Sequence, residues 1–130
     1  CAGRSSRFPN LPPKWMLQND YQESMLEMVI DSMTQEFEQI IVTITSEQQE
    51  KWKAFDYLNS RLKWGADIVM LDNPTRSASQ TVYETLKQSL VDGPIVIKDC
   101  DCAVGYNSAN FNNYIVGLVM PTSIAVLMKI

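Results

Sequence analysis

Residues 2–14 carry residue types that suit the binding of a triphosphate. Glycine lets a backbone approach a ligand closely, and serines in a tight turn leave backbone N–H groups free to face phosphate oxygens. Arginine adds a two-pronged set of donors, and lysine adds a compact charge. A P-loop is not indicated, because that motif needs Gly-Lys-Ser/Thr leading into a helix. The predicted triphosphate contacts are Ala2, Gly3, Ser5, Ser6, Arg7 and Lys14.

A second candidate site follows an apolar run at residues 95–97. Asp99 and Asp101 stand there one residue apart, and Mg²⁺ is typically held by one or two carboxylates together with phosphate and water. Ligands of open α/β sheets bind beyond the carboxyl ends of the strands, which is where this pair would lie. The pair therefore predicts a magnesium site, although the residues do not decide which aspartate is the main ligand. The alternative is a solvated turn.

A third polar segment, residues 73–82, joins a predicted strand to a predicted helix. The N–H groups at the start of a helix can bind an anion or the edge of a base, which makes Ser79 and Gln80 candidate nucleotide contacts. The alternative is an ordinary capping loop, in which Ser79 caps the helix while Tyr83 and Leu86 pack inward. The residues favour neither interpretation over the other.

The composition argues against several function classes. The chain has 11 basic and 15 acidic residues and a net charge of -4, which disfavours a broad basic surface for nucleic acid. No apolar run is long enough to span a membrane. The absence of histidine excludes Ser-His-Asp and Cys-His catalysis, as well as His-ligated zinc, from this chain. Three cysteines build no disulfide framework and favour a reducing, cytoplasmic setting.

Alternating helix and strand patterns predict an α/β fold with a mainly parallel sheet and helices on both faces. One helical stripe is formed by Met25, Met28, Val29 and Ser32, and another by Trp52, Phe55, Leu58 and Leu62. Ser46 is predicted to cap the helix that carries the second stripe. The predicted helices are 23–33, 46–63 and 79–91, and the predicted strands are 39–44, 67–71, 95–97, 114–118 and 125–128.

The first of these stretches resembles the sugar-phosphate nucleotidyltransferases, which are the nucleotide-sugar pyrophosphorylases. Their signature reads roughly Ala-Gly-x-Gly-x-Arg-Phe, then a variable gap and Pro-Lys. Ser5 stands where the second glycine is usual, which narrows the freedom of the backbone. The signature residues that match in order are Gly3, Arg7, Phe8, Pro13 and Lys14.

The resemblance implies a Rossmann-like nucleotide-binding domain over residues 1–130, lacking its first strand and ending before the rest of the domain. It implies Mg²⁺ as cofactor, and a nucleoside triphosphate and a sugar phosphate as substrates. Arg7 and Lys14 would hold the triphosphate, and Asp99 matches the family's metal-binding aspartate after a strand. Ser79 and Gln80 match the character of a family segment that contacts the base or lies near the phosphates.

Two other functions stay open at this point. A metal-dependent glycosyltransferase would use a related sheet and the same Asp-x-Asp pair, with less reason for Arg7 and a Pro-Lys pair. A noncatalytic nucleotide-binding domain would retain the glycine turn without an acceptor pocket. A homo-oligomer is compatible with the sequence, which does not decide the oligomeric state, the nucleobase or the acceptor.

Overall fold

The computed structural model describes residues 9–33, 37–63, 65–100, 113–116 and 125–129. A short 3-10 helix spans Lys14–Met16, and the α-helices are α1 (Met25–Asp31), α2 (Ser46–Trp52), α3 (Ala54–Arg61) and α4 (Ala78–Gln88). The strands are β1 (Gln39–Thr45), β2 (Asp67–Leu71), β3 (Ile95–Asp99), β4 (Asn113–Val116) and β5 (Ala125–Lys129). The order of elements along these residues is the 3-10 helix, α1, β1, α2, α3, β2, α4 and then three strands, β3, β4 and β5.

The described strands form one mixed sheet in the order β2-β1-β5-β3-β4. β1 pairs in parallel with β2, and β3 pairs in parallel with β4. β5 lies between the two pairs and runs antiparallel to both β1 and β3, so β1 and β3 themselves point the same way. The predicted α/β class is confirmed, and the sheet has an antiparallel strand at its centre.

Helices cover both faces of the sheet, as predicted. Val42 and Ile44 lie on one face of β1, in a buried cluster with residues of α1 and α3. Thr43 points to the other face, where its Oγ1 atom lies 2.6 Å from Thr85 Oγ1 of α4. One interface is therefore apolar, and the other is built around buried hydroxyl groups.

Helix α1 begins with a capping box, since Ser24 Oγ accepts from Glu27 N at 3.2 Å while the Glu27 carboxylate accepts from Ser24 N at 2.7 Å. The predicted stripe of Met25, Met28, Val29 and Ser32 is wrong except for Val29. Met28 is exposed, and Ser32 Oγ turns back to donate to the Val29 carbonyl. The buried side of the helix is instead Leu26, Val29, Ile30 and Met33, which repeat at i, i+3, i+4 and i+7.

The single helix predicted over 46–63 is two helices. Thr45 rather than Ser46 caps α2, in a capping box with Gln48. Lys53 ends α2 in the left-handed conformation, with φ of 53°, and α3 begins at the next residue. The kink changes the predicted stripe: Leu58 and Leu62 are buried, but the Phe55 side chain is 44% exposed.

An ion pair joins α1 to α3. Arg61 Nη2 lies 3.0 Å from Glu27 Oε2 and also donates to the Gln22 carbonyl. Burial of Glu27 would raise its pKa, but hydrogen bonds from Ser24 and the Arg61 guanidinium outweigh that effect and lower the pKa below its ordinary value of 4.5. Because the folded-state pKa is depressed, the charged carboxylate stabilises the fold above the unfolded-state pKa, and this stability is lost as pH falls through the folded-state pKa.

We expect Glu27→Gln to lower the free energy of unfolding by about 1–2 kcal/mol at pH 7, because a charge-assisted hydrogen bond becomes a neutral one. The difference from the parent should shrink as pH falls below 4.5, where the parent carboxyl also takes up a proton. Urea denaturation at several pH values measures both effects. Glu50→Gln, a change at an exposed position of α2, is the control. A difference that stays constant across this pH range would contradict the assigned role of the carboxylate.

Candidate functional site

The four parallel strands end at one edge of the sheet, which we call the carboxyl edge and define by Thr45, Leu71 and Asp99 and the residues that follow them. Thr45 lies opposite Leu71, and Asp99 lies opposite Ala125 of β5. Since β5 separates β1 from β3, the ends of β1 and β3 are two strand spacings apart, about 10 Å. A ligand of ordinary size can therefore contact both.

Lys14 is presented to solvent by a short, well-anchored segment. The 3-10 turn is closed by hydrogen bonds from Met16 N to the Pro13 carbonyl and from Leu17 N to the Lys14 carbonyl, both 2.9 Å. Within this turn Lys14 is exposed, whereas the Trp15 side chain is 0% exposed. Burial of the indole therefore fixes the backbone position from which the Lys14 side chain extends into solvent.

Trp15 and Cys100 belong to the same buried cluster, together with Ile44 near the end of β1. Each follows one of the predicted functional residues, because Lys14 precedes Trp15 and Asp99 precedes Cys100. The Pro-Lys segment and the end of β3 thus each contribute one residue to this cluster.

Asp99 is the last residue of β3 and is half-buried between two fully buried neighbours, Lys98 and Cys100. Lys98 shares a face with Val96, which belongs to the apolar cluster. A lysine that is 0% exposed in such a layer is rare, and the sequence analysis missed it. The strand had been predicted to end at residue 97, which would leave Lys98 in a loop, and no local pattern indicates that β3 continues through it.

Of the two predicted magnesium ligands, only Asp99 lies among the described residues. Within 9–33, 37–63 and 65–100 there is no group of three or more cysteine, aspartate or glutamate side chains placed to hold a metal ion. Mg²⁺ does not need such a set when phosphate and water complete its shell, and Asp99 supplies one carboxylate at this edge. Asp101, the other predicted ligand, lies outside the described residues.

The segment after β2 is a capping structure, and the prediction that Ser79 caps the helix is wrong. Ser77 is the cap of α4, and its Oγ accepts from Gln80 N at 3.2 Å. Gln80 Oε1 accepts from Arg76 N at 2.8 Å, and Ser79 Oγ lies 3.0 Å from Ser77 Oγ. Ser79 and Gln80 are both exposed.

The inward face of α4 is also different from the predicted one. Tyr83 is 62% exposed and Leu86 is exposed as well, whereas Thr81 and Thr85 are buried. These threonines satisfy their hydroxyl groups within the interface, because Thr85 Oγ1 donates to the Thr81 carbonyl at 2.7 Å and also contacts Thr43.

Ser79 and Gln80 lie in the first turn of α4, the helix that follows β2. In the sheet, β2 is separated from β3 by β1 and β5. The remaining predicted contacts lie outside the described residues and are Ala2, Gly3, Ser5, Ser6 and Arg7.

A groove of about 390 Å³ lies at the opposite edge of the sheet, where β1 and β2 begin. Phe37, Gly65 and Ala66 contribute to its wall, and Gln39 Nε2 donates to Asp67 Oδ2 across it at 2.5 Å. The groove thus lies at the end of the sheet opposite to Asp99.

Comparison with known proteins gives no family assignment: no family model matches the chain, and neither a curated protein nor a solved structure matches it. Among the described residues, no helix has the length and apolar character required to cross a membrane. The site is therefore interpreted from its own residues.

The two serines at the start of α4 give a direct test of the capping geometry. Ser77→Ala should lower the free energy of unfolding by about 1 kcal/mol, because a helix N–H loses its acceptor. Ser79→Ala, the matched control, should change it by less than about 0.5 kcal/mol, as is usual at an exposed position. Urea denaturation of both variants is the measurement, and a larger loss for Ser79→Ala than for Ser77→Ala would contradict the assignment.

Proposed function

We propose that this protein is a nucleotidyltransferase that transfers a nucleoside monophosphate from a nucleoside triphosphate to a sugar phosphate, with release of pyrophosphate. The observation that carries the proposal is the shared burial of Trp15 and Cys100 in one cluster. Lys14 and Asp99 immediately precede these two residues. In this proposal, Lys14 from the Pro-Lys segment and Asp99 at the end of β3 together serve a magnesium–triphosphate complex.

The proposal includes a Rossmann-like fold of the kind expected for the sugar-phosphate nucleotidyltransferases. It is supported by the parallel direction of β1, β2 and β3 and by helices on both faces of the sheet. Asp99 ends β3, and the carboxyl ends of strands are the usual ligand position in open α/β sheets. Because the central strand β5 is antiparallel, the proposed fold is a mixed-sheet variant of the Rossmann-like type.

In the proposed reaction, an oxygen of the sugar phosphate attacks the α-phosphorus, a new P–O bond forms, and the bond to pyrophosphate breaks. This chemistry requires alignment of the reactants and neutralisation of charge more than covalent participation by the protein. Lys14 would stabilise the negative charge that develops around the α-phosphate, and Arg7 would hold triphosphate oxygens with its paired donors. Mg²⁺, held by Asp99 or Asp101, would neutralise phosphate oxygens.

Ser79 and Gln80 would contact the nucleoside end of the substrate. Both are exposed in the first turn of α4, which follows β2. We further propose a cytoplasmic setting and no nucleic-acid partner, on the basis of the cysteine content and the net charge of -4. A homo-oligomer is compatible with this proposal.

The central experiment has two stages. Thermal shift with each of four nucleoside triphosphates, with and without Mg²⁺, identifies the base. Pyrophosphate release is then measured with that nucleotide and a panel of sugar phosphates. Release that requires both substrates and Mg²⁺ supports the proposal. Nucleotide binding without any release would favour a noncatalytic domain, and transfer from a nucleotide sugar without pyrophosphate release would favour a glycosyltransferase.

Lys14→Ala should weaken nucleoside triphosphate binding by about 2 kcal/mol or more, which is roughly a thirtyfold loss of affinity, because a charge-assisted contact to phosphate disappears. The fold should remain intact, since Lys14 is exposed and its truncation leaves no core cavity. Calorimetry gives the affinity, and Lys87→Ala, an exposed lysine in the last turn of α4, is the control. Unchanged affinity in a folded Lys14→Ala protein would remove this residue from the site.

Asp99→Asn should reduce magnesium-dependent pyrophosphate release by at least tenfold, because the shape is kept while a carboxylate ligand of the cation is lost. The melting temperature should fall by no more than a few degrees, since the residue ends a strand and is half-buried. Added Mg²⁺ should tighten nucleotide binding in the parent and do so less in the variant.

Asp101→Asn tests the other candidate ligand in the same way, and Asp72→Asn, at an exposed position after β2, is the control. If both Asp99→Asn and Asp101→Asn keep the parental magnesium dependence in the full chain, the loop after β3 is a structural turn and the proposed metal site is wrong.

A further inference from the structure

The groove at the start of β1 and β2 has an apolar floor. Phe37, Ile40 and Ala66 line it, and each of them is half-buried and packs against the apolar cluster of the core. Packing against buried side chains holds this floor in place. The part of its surface that stays accessible is apolar, and covering such surface with a ligand is favourable.

Gly65 leaves the wall of the groove open. Its φ of 74° lies in the left-handed region, which favours glycine. Apart from its chain neighbours, no described atom lies within 4 Å of the position that a Cβ atom would occupy. The groove volume of about 390 Å³ falls within the range of about 300–1,000 Å³ that is typical of small-molecule sites. The groove therefore has room for a small organic molecule.

Two carboxylates also line the groove, and both are exposed. Glu38 directly precedes β1, and Asp67 is the first residue of β2. Gln39 Nε2 donates to Asp67 Oδ2, and because an amide is neutral, this hydrogen bond orients the carboxylate without cancelling its charge. The lining residues that the structure describes include no lysine or arginine. The described lining is therefore negatively charged.

We propose that this groove is a binding site for a small organic cation, namely a primary amine with an apolar stem. The stem would cover Phe37, Ile40 and Ala66, and the ammonium group would donate charge-assisted hydrogen bonds to the carboxylates. A neutral stem would leave those carboxylates without a partner for their charge, and an anion would be repelled by them. The groove lies at the end of the sheet opposite to Asp99, so binding here does not depend on the proposed transfer reaction.

The test titrates the full chain with hexylamine, 1-hexanol and hexanoate, which share one alkyl stem and differ in charge. Amide-resolved NMR gives both the affinity and the place of binding. Hexylamine should bind with a Kd of about 1 mM and shift the amide signals of residues 37–40 and 65–67. Hexanol should bind about tenfold more weakly, because it makes no charge-assisted hydrogen bond, and hexanoate more weakly still.

Asp67→Asn keeps the shape of the groove and removes one negative charge. It should weaken hexylamine binding by about fivefold to tenfold and leave hexanol binding within about twofold of the parent. Asp72→Asn, an exposed carboxylate just beyond the other end of β2, is the matched control and should leave both affinities unchanged. If Asp67→Asn does not fold, Glu38→Gln tests the second carboxylate in the same way.

Three results would overturn the proposal. The first is that hexylamine at about 10 mM shifts none of the amide signals of the lining residues. The second is equal affinity for hexylamine and hexanol, because the groove then responds to the stem alone. The third is parental hexylamine affinity in both Asp67→Asn and Glu38→Gln. None of these results bears on the nucleotidyltransferase proposal, which Lys14→Ala and Asp99→Asn test with other ligands.

Discussion

The burial of Trp15 is the interaction on which the arrangement of the candidate site depends. A tryptophan buries about 150–250 Å² on folding, which at 25 cal/mol per Å² corresponds to roughly 4–6 kcal/mol. Its Nε1 atom has no hydrogen-bond partner among the described residues, which costs about 1–3 kcal/mol. The apolar gain exceeds this cost, so the indole remains in the cluster and anchors the backbone next to Lys14.

The strand at 39–44 could be predicted from the sequence because a short β-branched run has few other stable conformations when it is mostly buried. The apolar run at 67–71 also forms a strand, at the margin of the sheet, where only Leu71 of that strand is buried. The direction of β5 could not be predicted. A strand at the centre of a sheet is covered on both faces whether it runs parallel or antiparallel, and its apolar pattern is the same in each case. Direction is decided by the connections and by pairing with β1 and β3.

The helix ends and the burial of Lys98 could not be predicted from the sequence. For the starts of α2 and α4, the sequence offers more than one residue that could serve as the cap. Thr45 competes with Ser46, and Ser77 with Ser79, for the same capping role, and only the position of the preceding strand decides between them. Lys53 adopts a left-handed conformation with no glycine or asparagine to signal it. The buried Lys98 is likewise invisible to a periodicity argument, because a charged residue normally indicates that a strand has ended.

Lys14 and Asp99, two of the candidate residues that the structure describes, are held by the same physical means. Lys14 is followed by a buried indole, and Asp99 is flanked by two buried side chains, Lys98 and Cys100. In each case the polar residue remains at the surface or half-buried, while its covalent neighbour occupies the core and removes most of its backbone freedom. Residues held in this way lose little conformational entropy when they bind a ligand, which is the condition that charge-neutralising catalysis requires. The apolar cluster that contains Trp15 and Cys100 thus stabilises this face of the sheet. It also holds the backbone next to Lys14 and Asp99 in place.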